Sequence, residues 1–317
     1  MNIHPLLALI LFAAISHPAA AAGQCSDGTG YRLQILGSGG DTVRETRAGS
    51  SYLLWHNDHS RVLVNAGAGS ALRFAQARGH MRDLEIILFN QVYADNTAAL
   101  TGLVLSAQED QRQTPLPIYG PGGRKNIPST VALVRALFEI SGGAYRHLGY
   151  VLAPLDKKGL KLQPHNVNVY YRDDIPTFGK NQVTKQILRT KTLTVSAATV
   201  SNDEVPTLGW RLDVGDVGVV FIDRTALAND HLDQLAKGAQ TLVAPLPVMN
   251  GPLAREFPSP TRLAELANNA GIKTIILTHR SRSTVEDDQR ILEQMANRFT
   301  GEIQFANDLD CYKLTDK

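Results

Sequence analysis

Short apolar runs alternate with segments of helical periodicity along the chain from Tyr31 onward. Runs of four to eight apolar and β-branched residues between turn residues are typical of buried strands, whereas apolar residues spaced three and four apart are typical of helices. The predicted strands are Tyr31–Leu36, Ser51–Trp55, Arg61–Asn65, Leu84–Phe89, Leu116–Tyr119, Thr192–Ala198, Leu208–Asp213, Val217–Ile222, Thr241–Ala244 and Ile272–Leu277. The predicted helices are Ser70–Arg78, Thr130–Ile140, Ala226–Lys237 and Ser259–Ala270.

The proportion of strands and the types of connection predict the fold class. Between residues 150 and 189 a weaker alternation predicts an antiparallel sheet with loops. Strands outnumber helices, and hairpins are mixed with crossover connections. The pattern therefore predicts an α/β sandwich built on mixed sheet, and not a simple doubly wound sheet.

The segment Met1–Ala22 does not share this pattern. It contains no Asp, Glu, Lys or Arg, has an apolar run over Leu6–Ile15, and ends in small residues. These features are typical of a secretory signal peptide, here residues 1–22, with cleavage before Gly23. A retained membrane anchor is the alternative, but ten apolar residues are too few for a bilayer that requires roughly 20. We therefore expect a periplasmic or secreted protein with one domain over residues 23–317.

Export changes the interpretation of the two cysteines, Cys25 and Cys311. An oxidising compartment allows them to form a disulfide that joins the two ends of the mature chain. Two unrelated thiols are the alternative. Neither residue has a second cysteine nearby, so a thiolate metal site is not expected.

Composition and charge exclude several classes of protein. The chain has 317 residues, of which 43% are hydrophobic and 20% are charged, which is typical of a globular protein and not of a disordered one. Its formal net charge is only +2. The excess of positive charge that nucleic-acid binding generally requires is therefore missing, and no nucleic-acid partner is expected.

Polar residues follow several predicted strands at the point where each strand ends. They are the segments Asn90–Asn96, Ser201–Asp203, Asp223–Thr225 and His279–Arg282. Active sites of α/β proteins favour the carboxyl ends of strands, so these segments are predicted to converge at one edge.

Eight ordered segments carry a resemblance to a known family. They read LGSGG with RAGSSYLL, LVNAGAG, IILFNQVYADNTAALTG, LPIYGPGG, VPTLGWRL, VVFIDRT and IKTIILTH. In this order and spacing the sequence resembles the metallo-β-lactamase fold, and within it the branch of ribonuclease Z, arylsulfatase-like and phosphodiesterase-like hydrolases. The resemblance implies an αβ/βα sandwich of two mixed sheets flanked by helices. It also implies a site for two zinc or similar ions at the sheet edge.

The departures from the family fall on its metal-binding positions. The family motif His-x-His-x-Asp-His falls on Gln91–Asn96, where only Asp95 is kept, and the last family histidine is kept as His279. The other positions hold residues that differ from the family: Gln91, Tyr93 and Asn96 within the motif, Asn202 at the third-motif histidine, Arg224 at the bridging aspartate, Asn65 at the structural aspartate and Ala244-Pro245 at a later His-Glu pair. Of the seven metal-ligand positions (91, 93, 95, 96, 202, 224 and 279), five are therefore replaced.

The chemistry of these replacements predicts a site without metal. Zinc requires three or four imidazole, carboxylate or thiolate ligands, whereas Gln91 and Asn96 provide only neutral amides. Arg224 adds a permanent positive charge that repels a dication. We therefore expect no cofactor and no inherited hydrolysis. If zinc binds at all, its ligands are Asp95, Asp223 and His279, although alternation along the strand predicts that Asp223 faces away from Arg224.

One hypothesis and two alternatives follow for Arg224, Asp95 and His279. Arg224 is predicted to occupy the space of the ions and to pair with Asp95, and with the amide oxygens of Gln91 or Asn96. The alternatives are that Asp95 caps the following helix and that His279 is a structural histidine.

Three functions are compatible with the sequence. The favoured hypothesis is an exported non-catalytic protein that binds a small anion or a protein partner in the former active-site cleft. The cleft residues are predicted to be Gln91, Tyr93, Asn96, Asn202, Arg224, Arg280 and Arg282. The second hypothesis is a metal-dependent hydrolase of esters, sulfates or phosphodiesters, with a single rebuilt metal site. The third is a structural factor whose cleft is filled by Tyr93 and Arg224.

Overall fold

A computed structural model describes residues 25–40, 47–107, 112, 114–153, 159–168, 170–172, 175–178, 182–200, 205–224, 230–248, 257–280 and 285–315. The predicted signal peptide (1–22) and two of the predicted cleft residues, Asn202 and Arg282, lie outside the described residues. Within these ranges, no helix is both long enough and apolar enough to cross a membrane.

The strands cover most of the predicted apolar runs. They are β1 (Tyr31–Gly37), β2 (Ser51–His56), β3 (His59–Val64), β4 (Ile86–Leu88), β5 (Leu116–Pro121), β6 (Leu162–Val167), β7 (Tyr170–Arg172), β8 (Ile175–Thr177), β9 (Thr184–Arg189), β10 (Leu193–Thr199), β11 (Leu208–Val214), β12 (Val217–Phe221), β13 (Thr241–Pro245), β14 (Thr274–Thr278), β15 (Glu302–Phe305) and β16 (Cys311–Lys313). The helices are α1 (Ser70–Gln76), α2 (Ala94–Thr97), α3 (Leu100–Ser106), α4 (Thr130–Phe138), α5 (His231–Ala236), α6 (Pro260–Ala270), α7 (Val285–Ala296) and a 3₁₀ helix (Arg146–Leu152).

Two mixed sheets contain these strands. In the described residues, the first sheet has the strand order β16-β1-β2-β3-β4-β5-β6 and the second has the order β15-β14-β13-β12-β11-β10-β9. Pairing is antiparallel from β16 to β3 and parallel from β3 to β6. The second sheet repeats this division, since β9 to β12 pair antiparallel and β12 to β15 pair parallel. Strands β7 and β8 form a separate hairpin.

Alternation along each strand sorts its side chains into two apolar layers. In β2, Tyr52 and Leu54 pack in the core between the two sheets, whereas Leu53 and Trp55 face the helices on the outer side. The second sheet is arranged in the same way, with Val219 and Phe221 facing inward and the neighbouring residues packing against α5, α6 and α7. The predicted αβ/βα sandwich of two mixed sheets flanked by helices is confirmed.

The predicted disulfide joins Cys25 to Cys311. The Cα atoms of the two residues are 5.5 Å apart, and 286 residues separate them in sequence. Cys25 is buried and packs with the outer core of the first sheet. The disulfide therefore ties the segment ahead of β1 to the edge strand β16.

Two parts of the chain differ from the sequence prediction. The segment 150–189 was expected to form one antiparallel sheet, but β6 pairs parallel with β5 and β9 joins the second sheet. After residue 280 the apolar pattern predicts no element, yet α7, β15 and β16 form there. The strands β15 and β16 have only four and three residues, too few for an alternation signal. They form through pairing with β14 and β1.

Candidate functional site: a buried ionic centre at the sheet edge

The structure brings together polar residues from the carboxyl ends of three strands. Asp95 and Asn96 lie in the short helix α2 after β4, while Asp223 and Arg224 follow β12 and His279 follows β14. Strands β12, β13 and β14 are parallel neighbours, so the segments after β12 and β14 leave the second sheet at the same edge. The predicted convergence of the described segments at one edge is thus observed.

Asp223 is the most highly bonded side chain of this centre. Its Oδ2 accepts hydrogen bonds from Asn65 Nδ2 (3.2 Å) and Asn96 Nδ2, and its Oδ1 accepts one from the Arg224 amide (2.7 Å). His279 Nε2 is 3.3 Å from the same Oδ1, and the Asp223 side chain is only 1% exposed. The prediction that Asp223 faces away from the site is wrong. Strand β12 ends at Phe221, so the alternation that supported this prediction does not extend to Asp223.

Arg224 and Asp95 form a buried ion pair. Arg224 Nη2 is 3.2 Å from Asp95 Oδ2, and the two side chains are 12% and 6% exposed. The guanidinium also lies 5.2 Å from the centre of the Tyr93 ring, a cation–π distance. This arrangement agrees with the hypothesis that Arg224 pairs with Asp95. Asp95 lies in the first turn of α2 and the N-cap residue is Tyr93, so Asp95 is not the cap of that helix.

Burial dominates the electrostatics of Asp95. Removal of its carboxylate from water raises its pKa, and the negative charge of Asp223 raises it further. Arg224 and His279 act in the opposite direction, but the pKa of Asp95 stays above its ordinary value of 3.8. The ion pair with Arg224 therefore compensates only part of the cost of burying two neighbouring carboxylates.

His279 is held in an uncommon backbone conformation. Its φ is 58°, in the left-handed region that residues other than glycine rarely adopt. Its side chain is 3% exposed, Nδ1 lies 3.0 Å from Ser50 Oγ, and the ring of Phe257 packs edge-on at 6.1 Å. Strained residues of this kind are found more often at functional sites than elsewhere.

Gln91 and Asn96 are anchored through their amide nitrogens. Gln91 Nε2 donates to Thr207 Oγ1 (2.8 Å) and to the carbonyl of Arg224 (3.1 Å), which ties the segment after β4 to the second sheet. Gln91 Oε1 and Asn96 Oδ1 are buried and have no hydrogen-bond partner among the described residues. Arg224 was expected to contact these two amide oxygens, but neither oxygen accepts a hydrogen bond from it.

Arg280, the residue after His279, pairs with a carboxylate of α7. Its Nη2 lies 2.9 Å from Asp288 Oδ2 in α7, and its guanidinium lies 5.1 Å from the ring of Phe305. These two contacts connect the end of β14 to α7 and β15, and the Arg280 amide donates to the carbonyl of Ser38 at 3.0 Å.

The sequence identified some of the residues that support this centre and missed others. Ser50 holds His279, Thr207 holds Gln91, and Asn90 Nδ2 donates to the carbonyl of Leu208 at 2.6 Å. Asn65 and Asn90 also bond to each other through their side chains at 2.9 Å. Asn90 lies in the polar segment Asn90–Asn96 after a predicted strand, and this signal placed it at the edge. Ser50 and Thr207 carry no such signal, because their partners are distant in sequence.

Comparison with curated proteins finds relatives named ribonuclease Z. No family model matches the sequence. The chain is 28% identical over 260 residues to a ribonuclease Z of Mycobacterium sp. (strain KMS), which covers 78% of this chain and 83% of that protein. It is 25% identical over 315 residues to a ribonuclease Z of Ligilactobacillus salivarius, with 89% and 96% covered. A third match, 29% identical to a ribonuclease Z of Clostridium acetobutylicum, spans only 33% of that relative.

Solved structures share the fold. The short form of human tRNase Z superposes with a TM-score of 0.66 at 15% identity, covering 90% of this chain and 98% of that one. The metallo-β-lactamase fold protein YhfI from Bacillus subtilis gives 0.63 at 16% identity, with 89% and 98% covered. Zn²⁺-bound PqqB from Methylobacterium extorquens gives 0.59 at 16% identity, with 89% and 100% covered.

These findings place the chain in the metallo-β-lactamase superfamily, among hydrolase-like proteins. Within the superfamily its sequence is similar to ribonuclease Z proteins, two of which it matches over most of their length.

The side chains of this centre do not suit a pair of zinc ions. The donors are two carboxylates and one imidazole, together with neutral amides, whereas two zinc ions require about twice as many strong ligands. The Arg224 guanidinium pairs with Asp95, the single residue of the His-x-His-x-Asp-His motif that is kept. Among the described residues, no group of three or more His, Cys, Asp and Glu is arranged to hold a metal ion.

Proposed function

We propose that this protein is an exported, non-catalytic member of the metallo-β-lactamase superfamily that binds a small anion or a partner in the former metal cleft. The observation that carries the proposal is the buried pair of Arg224 and Asp95, with 3.2 Å between Nη2 and Oδ2. A guanidinium cannot lose its charge in a protein, so it is a permanent replacement for the charge of a metal ion.

The contacts of Asp223 support the same proposal. Its two oxygens accept from Asn65, Asn96 and the Arg224 amide, so protein donors already compensate its buried negative charge. Without a metal there is no Lewis acid and no acidified water, which are the two contributions that metal hydrolases require. The ribonuclease activity in the names of the relatives is therefore not carried over to this chain.

The predicted ligand is an anion that contacts the arginines of the cleft. Arg224 already pairs with Asp95 and Arg280 with Asp288, so an anion must share these guanidiniums with the protein's own carboxylates. We therefore expect weak binding that decreases with salt. Arg280→Ala and Arg282→Ala should reduce the binding. Arg298→Ala, which removes an exposed arginine paired with Glu265, is the matched control.

Export is supported by the disulfide between Cys25 and Cys311, because such bonds persist mainly in oxidising compartments. Mass spectrometry of the protein from a periplasmic or secreted fraction should find Gly23 as the first residue. Protein that remains in the cytoplasm with its first 22 residues attached would contradict export.

The decisive experiment for the function is metal analysis of the exported protein, followed by a screen with ester, sulfate-ester and phosphodiester substrates. We expect much less than one metal ion per chain, no turnover and no effect of a chelator. A panel of small anions should then raise the melting temperature. Stoichiometric zinc, or turnover that a chelator abolishes, would overturn the proposal.

A metal-dependent hydrolase with a single metal is the second candidate. One observation favours it: Asp223 lies inside the centre, 3.3 Å from His279 Nε2, and not on the opposite face. Asp95, Asp223 and His279 would then be the zinc ligands, with one position open for water. The same metal analysis decides between the two candidates.

A further inference from the structure

We propose that a groove beside α4 is the contact surface for a second copy of this chain, with Arg135 of each copy paired to Glu139 of the other. The groove has a volume of about 790 Å³. Its lining comes from α4, the residues after α4, the 3₁₀ helix and β6, and it includes Arg135, Glu139, Ile140, Leu152, Leu162 and Pro164. None of these residues belongs to the ionic centre, so the inference goes beyond the proposed function and does not depend on it.

The free edge of the first sheet borders the groove but does not suit an added strand. Within the described residues, β6 is the last strand of this sheet. The carbonyls of Lys161 and Val167 both accept hydrogen bonds from the side of β5. Because backbone groups alternate along a strand, those of Pro164 point to the open side, where proline has no N–H to donate. The groove therefore suits the side chains of a partner and not its backbone.

Apolar side chains around the groove are exposed. Ile140 follows α4 by two residues, is 62% exposed and lies directly against Gly149 of the 3₁₀ helix. Tyr145 is 41% exposed, and its amide donates to the carbonyl of Leu137 near the end of α4. The described part of the chain exposes only four large hydrophobic side chains to this extent, and these are two of them. Exposed apolar side chains grouped beside a groove are typical of a surface that another molecule covers.

The charges of the groove are complementary to their own two-fold copy. The Glu139 amide donates to the carbonyl of Arg135, which places the two residues one helical turn apart on one face of α4. Both side chains are exposed, and neither forms an ion pair or a hydrogen bond within the described residues. A two-fold axis between the two residues reverses the direction of the helix. Arg135 then lies opposite Glu139 of the partner subunit, and this pair occurs twice in the dimer.

A second copy fits these charges better than a small ion does. An anion would be attracted by Arg135 and repelled by Glu139, and a cation would meet the reverse, whereas a second copy satisfies both side chains. Exposed ion pairs contribute little affinity, so the charges fix the orientation while Ile140 and its apolar neighbours provide the affinity. Because the groove is small and its charges are exposed, we expect a weak dimer with a dissociation constant in the micromolar range.

Sedimentation velocity over a range of protein concentrations tests the inference with five variants. Arg135→Glu and Glu139→Arg each place like charges opposite each other, and the double variant with both changes exchanges the charges. Ile140→Ser removes the apolar contact. Leu72→Ser is the matched control, because Leu72 on α1 is 63% exposed, much as Ile140 is, but does not line the groove.

We expect the natural protein and Leu72→Ser to dimerise with the same dissociation constant. Arg135→Glu, Glu139→Arg and Ile140→Ser should each raise that constant about tenfold or more. The double variant should dimerise as the natural protein does. An equimolar mixture of Arg135→Glu with Glu139→Arg should also dimerise, because each charge again faces its opposite in the mixed pair. A folding defect in either single variant would not be repaired by mixing.

Three results would overturn the inference. One is a natural protein that stays monomeric at about 0.5 mM. The second is a dimer that Leu72→Ser dissociates and the charge variants do not, since the contact would then lie on α1. The third is a mixture of the two single charge variants that remains monomeric. Each of these results leaves the proposed function intact, because that function is tested by metal content, turnover and anion binding.

Discussion

Asp223 and His279 come from the ends of two different strands and meet in the buried centre, where Asp223 Oδ1 lies 3.3 Å from His279 Nε2. Strand β13 separates β12 from β14, and the parallel register of the three strands fixes the relative position of the two residues. Asn65, which follows β3 of the first sheet, and Asn96 in α2 both donate hydrogen bonds to Asp223. One carboxylate therefore links both sheets at the site.

Asp223→Ala should consequently lower the free energy of unfolding by about 3 to 5 kcal/mol. The change leaves the Asn65, Asn96 and Arg224 donors without their acceptor and removes the charge that faces His279. Urea denaturation measures the effect, and Asp223→Asn should cost less because one amide oxygen remains. Asp216→Ala, in an exposed turn, is the control and should stay within about 0.5 kcal/mol. A cost below about 1 kcal/mol for Asp223→Ala would contradict the assigned hydrogen bonds.

Arg224→Ala should cost about 3 to 5 kcal/mol when measured without metal, because Asp95 then becomes a buried carboxylate without its counter-charge. The matched control is Arg298→Ala. Its partner Glu265 is 39% exposed and Arg298 itself is 54% exposed, so this pair should contribute no more than about 1 kcal/mol. Equal effects of the two substitutions would show that the pair of Arg224 and Asp95 is solvated in solution.

The sandwich could be predicted from the sequence because the patterns that indicate its strands are local. Apolar runs such as Leu208–Asp213 and turn residues between them carry the strand pattern without reference to the rest of the chain. The position of Arg224 beside Asp95 could also be inferred, since the resemblance aligns both with positions that meet at one site. The inward orientation of Asp223 could not, because it depends on where β12 ends. The roles of Ser50 and Thr207 depend on partners 229 and 116 residues away.

Cys25→Ser should lower the free energy of unfolding by up to about 4 to 5 kcal/mol. The disulfide to Cys311 spans 286 residues, and in the chain-entropy model such a long loop gives the largest stabilisation. Thermal unfolding of the single variants and of the double variant provides the test. The three should be equally unstable, since each removes the same bond, and reductant should lower the melting temperature of the natural protein only. Additive effects of the two single changes would indicate that the cysteines act separately.

The raised pKa of Asp95 predicts how stability depends on pH. Burial raises this pKa above the unfolded value of 3.8, so the folded protein binds the proton more tightly than the unfolded chain does. The contribution of Asp95 to stability is then fully present below about 3.8 and is lost as the pH rises through the folded pKa. Asp95→Asn cannot ionise at this position and isolates the effect. Relative to Asp95→Asn, the natural protein should lose stability as the pH rises above 3.8, with a slope of at most about 1.4 kcal/mol per pH unit. If it gains stability over this range, the attraction of Arg224 outweighs burial and the pKa of Asp95 is lowered.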